Sequence, residues 1–165
     1  MPSHSEMPAD VAPTRWMVIV AGAVSKPTSS RATDLRAIDS VRVDTSADCE
    51  GDGSVQRWSG VRVGSLLDRA GPYADASHAL VRSADPDFAC GFDLDRLRSA
   101  ILAVQVDGDP VPPDRGGPIR LIPDDPDADC WERVKWVSRI EVLDGPAGEE
   151  DTARELVEGE DGDGS

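Results

Sequence analysis

The chain has 165 residues, enough for one domain with a substantial core and too few for two large ones. It carries 32 acidic against 17 basic residues, a formal net charge of −15. A surface this acidic repels a phosphate backbone, so nucleic acid is excluded as an expected partner.

Residues 1–14, MPSHSEMPADVAPT, are polar and proline-dotted and are expected to be a disordered tail. A single domain is expected over 15–145. RWMVIVAGAV reads as a strand rich in β-branched residues. Its apolar run, Trp16–Val24, is too short to cross a bilayer and lacks the basic start of a secretory signal. ATDLRAI has apolar residues at helical spacing after candidate caps in Thr28-Ser29-Ser30. SVRVDT alternates as a strand and leads to Cys49. RWSGVRV is a strand or bend, and VGSLLDRAG a short amphipathic helix stopped by Gly71 and Pro72. HALVRSA is a strand. FDLDRLRSAILAVQVDG predicts a helix, then a strand ending at the turn signal Asp107-Gly108. GGPIRLIP is a short strand between prolines. In VKWVSRIEVLDG the apolar residues Val134, Trp136, Val137, Ile140 and Val142 predict a strand from Val134 onward. Residues 146–165 form an acidic, glycine-rich stretch expected to be a second disordered tail, with room for a short helix at Thr152–Glu158. Many short strands with few, brief helices predict an α+β fold that is mostly β.

Cys49, Cys90 and Cys130 are an odd number about forty residues apart with no CxxC pair, which is neither a disulfide framework nor a zinc ribbon. The expected setting is reducing, soluble and cytoplasmic. With His4 in a tail and His78 alone, zinc hydrolysis is not expected. Only Lys26 and Lys135 are lysines, and acid-rich, lysine-poor surfaces suit high salt, where screening removes self-repulsion. A halophilic source is therefore expected. The fold should then survive only at high ionic strength. Circular dichroism melts across a salt series check this, and an unchanged melting temperature would remove the halophilic reading.

Cys49 sits among Asp48, Glu50, Asp52, Gly51 and Gly53, a polar loop. Carboxylates there raise a free thiol's pKa and discourage a nucleophile, whereas a bound metal holds the sulfur deprotonated by itself. A metal ligand is the better reading; a buried small hydrophobe is the ordinary alternative. In DRGGPIRLIP two glycines permit close backbone approach, and Arg115 and Arg120 can present planar, permanently charged forks to a phosphate. The ordinary alternative is a turn with two surface arginines. Arg133 and Lys135 are cations able to close over the same anion as Arg120.

These motifs, in this order, resemble the sulfite-oxidase-type molybdopterin oxidoreductase family. The resemblance rests on Trp16, Val20, Gly22, Val24, Pro27 and Leu35; on Cys49 with Gly51; on Trp58, Gly60 and Val61 with Leu66-Leu67; on ILAVQVDGDPVPPDRGGPIRLIP; and on VKWVSRIEV. It implies a sulfite-oxidase-like molybdopterin-binding fold with a molybdenum-pterin cofactor. It implies oxygen-atom transfer to or from a small-molecule acceptor or donor, with an electron-transfer partner. Carried onto this chain, Cys49 is the molybdenum ligand and Trp58 lies near the substrate pocket. Arg115, Gly117, Arg120 and Arg133 bind the cofactor. Ser54 stands where relatives bind the substrate oxyanion with an arginine, leaving Arg57 as the nearby candidate. Glu132 stands where a cation is expected, with Arg133 to compensate. The alternative is an accessory module that keeps the fold without turnover.

Overall fold

The computed structural model describes residues 17–31, 34–35, 41–45, 55–84, 88–112, 115–124 and 132–145. The β-branched opening run forms strand β1 (Met17–Gly22). Successive side chains of a strand point to opposite faces, so Val18 and Val20 are buried while Met17 and Ile19 are exposed. β1 is the second strand of a sheet ordered β2, β1, β10, β5, β6, where β2 is Thr28–Arg31, β5 His78–Ser83, β6 Ala89–Asp93 and β10 Val137–Leu143. β1 and β10 run parallel, and the other neighbours are antiparallel. The Thr28-Ser29-Ser30 stretch, expected as helix caps, belongs to β2 and pairs with Val18–Val20. Most of the helix expected after it lies outside the described residues.

The second sheet is ordered β3 (Val41–Thr45), β4 (Gln56–Arg62), β7 (Ile101–Val106) and β8 (Asp109–Pro110), and β9 (Arg120–Ile122) also pairs with β7. The Asp107-Gly108 turn joins β7 to β8, with both residues at positive φ, as a tight hairpin between twisted strands requires. β4 passes directly into helix α1 (Val63–Ala70), which ends where the Gly71 amide returns to the Leu67 carbonyl at 2.9 Å. Helix α2 (Leu94–Arg98) comes directly after β6.

Alternation along β7 divides the apolar residues between two cores. Leu102 and Val104 join the main core with Val18, Val20, Val61, Leu66, Leu67, Leu97 and Leu121. Ile101 and Ala103 face the other way, with Trp58, Val111 and Ile122, and Val106 joins them because the β4–β7 register shifts between Ser59 and Gly60. The β10 ladder begins at Val137, three residues later than alternation predicts. Trp136 has φ +53°, outside the extended region, and so breaks the run. Among the described residues no helix is long and apolar enough to cross a membrane.

Candidate functional site

Strand parity sets the site. Arg120 pairs with Ala103 on β7, so its side chain belongs to the face of the smaller core rather than the main one. It is 3% exposed, where an apolar residue would ordinarily sit. Backbone carbonyls receive its guanidinium: Nη1 donates to the Arg115 carbonyl at 3.2 Å and Nε to the Arg133 carbonyl at 3.4 Å. The guanidinium carbon lies 5.4 Å from the centre of the Trp58 ring, and that of Arg115 lies 5.5 Å from the same ring. Both are in range for attraction to the indole face. Trp58 is wholly buried, and its Nε1 donates to the Thr45 carbonyl at 3.2 Å, which fixes the ring plane.

The two segments that carry the cations are joined along their backbones. Trp136 donates to the Gly116 carbonyl at 2.8 Å, Val137 to Ile119 at 2.9 Å, and Leu121 to Val134 at 2.9 Å. Lys135 is part of this group, its Nζ 5.8 Å from the Trp136 ring. The glycines in Arg115–Arg120 are there for space. A Cβ on Gly117 would stand 1.8 Å from the Val111 carbonyl oxygen; one on Gly116 would stand 2.7 Å from Cγ of Lys135, at φ +92°. At Gly117 no other residue allows this approach without moving backbone, and at Gly116 the positive φ favours glycine.

Thus Arg115, Gly117 and Arg120, each singled out from sequence, come together; Arg133, expected as a cation, meets Arg120 through its backbone carbonyl. Arg57 does not join them. It neighbours Trp58 on β4, so it points to the opposite face; its side chain is 57% exposed and its Nε lies 3.0 Å from Asp44 Oδ1. The hydrogen bond to Asp44 holds the Arg57 pKa above its usual value, so the guanidinium stays charged. Around it is an open polar groove of about 670 Å³, lined by Arg42, Asp44, Gln56, Ser59, Gln105 and Asp107 among others. Cys49, Ser54 and Cys130 lie outside the described residues. The segment bearing Cys49 leaves β3 after Thr45 and rejoins β4 at Gln56, beside Trp58. Cys90 is 2% exposed within the main core. His78 is held between Ser77 Oγ (2.8 Å) and Asp93 Oδ1 (3.1 Å). Among the described residues no three His, Cys, Asp or Glu side chains cluster to hold a metal.

Sequence reasoning passed over Gln56. It is two residues from Trp58, hence on the same face of β4, and its Oε1 is buried without a hydrogen-bond donor among the described residues. A glutamine beside a hairpin loop gives no sequence signal; in the fold it pairs with Thr45 and lines the groove around Arg57.

The described residues thus gather two arginines onto one buried tryptophan, around glycines with no room for a side chain. The chain belongs to the oxidoreductase molybdopterin binding domain family, whose profile matches residues 4–150. It is 28% identical over 102 residues to the nitrate reductase [NADPH] of Fusarium oxysporum, a match that covers 57% of this chain and 11% of that protein. The sulfane dehydrogenase SoxCD of Paracoccus pantotrophus shares the fold, with a TM-score of 0.73 at 19% identity over 84% of this chain and 40% of that one. The chain therefore spans well under half the length of either relative. The expected sulfite-oxidase-type fold and family are borne out, and the cofactor of the family is molybdopterin. The residues present suit its anionic end: Arg115 and Arg120 on the Trp58 ring and Lys135 on the adjoining segment supply charge, and Gly116 and Gly117 supply close approach.

Proposed function

We propose that this domain binds the molybdenum-pterin cofactor for oxygen-atom transfer, with Cys49 as the protein's ligand to the metal. The observation that carries the reading is the convergence of Arg115 and Arg120 on the Trp58 ring. Both guanidiniums rest on one buried ring, so an anion received there would meet permanent positive charge. A phosphate oxygen array matches the fixed fork of a guanidinium. Arg120 is oriented by two carbonyls and so loses little freedom on binding; Arg133 and Lys135 extend the charge along the adjoining segment. When bound, the cofactor supplies two-electron oxygen-atom transfer at molybdenum. The chain's own part is to hold its phosphate end at the arginines and to supply the Cys49 thiolate from the connection between β3 and β4. Substrate is a small oxo donor or acceptor, and Arg57 with its groove is the candidate surface for an oxyanion. Electrons leave to or arrive from a separate redox partner.

The test is molybdenum and pterin content of protein purified from a molybdopterin-producing host, with turnover assayed on sulfite and on sulfoxides. Near one metal and one pterin per chain with turnover is the expected result. A loaded chain without turnover on either class would favour the accessory role, and a chain holding neither metal nor pterin would overturn the reading.

A further inference from the structure

Helix α2 sends one side chain to the cation-bearing segment. Arg96 makes a two-pronged ion pair with Glu132, Nη2 donating to Oε1 at 2.8 Å and Nη1 to Oε2. The stem of Arg96 is steered by Phe92, whose ring centre lies 5.7 Å from the guanidinium carbon. Glu132 is 8% exposed. A carboxylate buried to that extent is costly to hold without a cation in good geometry, so the pair sets where Glu132 can be. The position of Glu132 in turn sets that of the next residues along the chain. Arg133 supplies the carbonyl that receives Arg120 Nε, and Val134 and Trp136 join their partners at Leu121 and Gly116. Glu132 is thus the anchored start of the strip that orients the buried arginine.

The pair also has an electrostatic consequence. A bare carboxylate one residue from Arg133 would lower the positive potential that attracts a phosphate, and the chain as a whole is already at −15. The Arg96 charge offsets Glu132 locally.

We propose that Arg96 is a positioning residue for the anion-binding cluster: through Glu132 it fixes the segment that orients Arg120, and it neutralises the carboxylate beside that cluster. The inference rests on the reading that this cluster holds the cofactor phosphate. Its test compares pterin released per chain, together with melting temperature, for wild type, Arg96→Met, Glu132→Gln and the charge-reversed double variant Arg96→Glu with Glu132→Arg, all made in the same competent host. Arg96→Met is expected to retain roughly tenfold less pterin, equivalent to about 1.4 kcal/mol. Glu132→Gln loses the anchor but leaves no bare carboxylate, so it should retain less than wild type and more than Arg96→Met. The reversed pair should recover to within about threefold of wild type, since the fork and the carboxylate have only exchanged ends. Should Arg96→Met fail to fold, Arg96→Lys decides, because a lysine keeps the charge but not the two-pronged geometry. Roughly threefold less pterin is then expected, and wild-type content contradicts the proposal. A folded Arg96→Met protein with full pterin, or a reversed pair no better than the single variants, overturns the role of Arg96 and leaves the cluster reading intact. A wild type without pterin removes both.

Discussion

Gly117→Ala is expected to destabilise the domain by about 3 kcal/mol or more and to empty the cofactor site. The added methyl would stand 1.8 Å from the Val111 carbonyl oxygen and 2.5 Å from its carbon, so backbone and not a flexible side chain must move. That backbone is the one on which Gly117 closes its hydrogen bond to the Pro112 carbonyl at 2.9 Å, beside the same bond from Arg115. Displacing it shifts the Arg115 guanidinium off Trp58. A control separates this from any general cost of losing a glycine. A methyl on Gly145 would have nothing within 4 Å among the described residues, so Gly145→Ala should stay within about 0.5 kcal/mol of wild type. Chemical denaturation of both variants, with pterin content measured on each, checks the pair of expectations. Equal stability of the two would contradict them.

Trp58→Ala is expected to cost about 3–5 kcal/mol, the range for deleting a large aromatic from a core. The indole is wholly buried among Ile101, Ala103, Val106, Val111 and Ile122, and it is the surface against which both Arg115 and Arg120 rest. Without it the buried Arg120 charge loses its apolar support as well as its ring contact. Arg57→Ala, one residue away in sequence, should leave the melting temperature nearly unchanged, because an exposed ion pair contributes little. If Arg57 serves substrate, the same variant raises the substrate KM while leaving pterin content at the wild-type level. Urea melts and pterin content check the contrast. A Trp58→Ala protein as stable and as fully loaded as Arg57→Ala would refute it.

Local periodicity made much of this fold readable. The alternating or β-branched runs at Met17–Gly22, Val41–Thr45 and Ile101–Val106 are strands, and the apolar spacing of Val63, Leu66, Leu67 and Ala70 is a helix. What escaped has physical reasons. β2 is Thr-Ser-Ser-Arg at a sheet edge, where pairing to β1 rather than side-chain pattern makes the strand. β6 is Ala-Cys-Gly-Phe-Asp, too short to show a period, and is held by β5. Trp136 belongs to an alternating run yet adopts φ +53°, because its amide is bound to Gly116, twenty residues earlier.

The site divides in the same way. Arg115, Gly117 and Arg120 lie within six residues, so motif and geometry coincide. That Arg57 and Trp58 face apart is a consequence of adjacency on a strand and could have been read from parity alone. The Arg96–Glu132 pair spans 36 residues and two elements, and nothing in either local sequence announces it. Gln56 is of the same kind. Glu132, which stands at the expected cationic position, pairs instead with Arg96 on α2.

Cys49, and not Cys90, is the proposed ligand to molybdenum. Molybdenum X-ray absorption on the pterin-loaded wild type, Cys49→Ser and Cys90→Ser proteins tests this most directly. Cys90 lies in the main core, so Cys90→Ser should lower stability by about 1–2 kcal/mol through burial of a hydroxyl and leave the metal's sulfur shell unchanged. Cys49→Ser should keep pterin at the arginines, lose one sulfur from that shell and lose oxygen-atom transfer. An identical sulfur shell in Cys49→Ser, or its loss in Cys90→Ser instead, would contradict the assignment of Cys49.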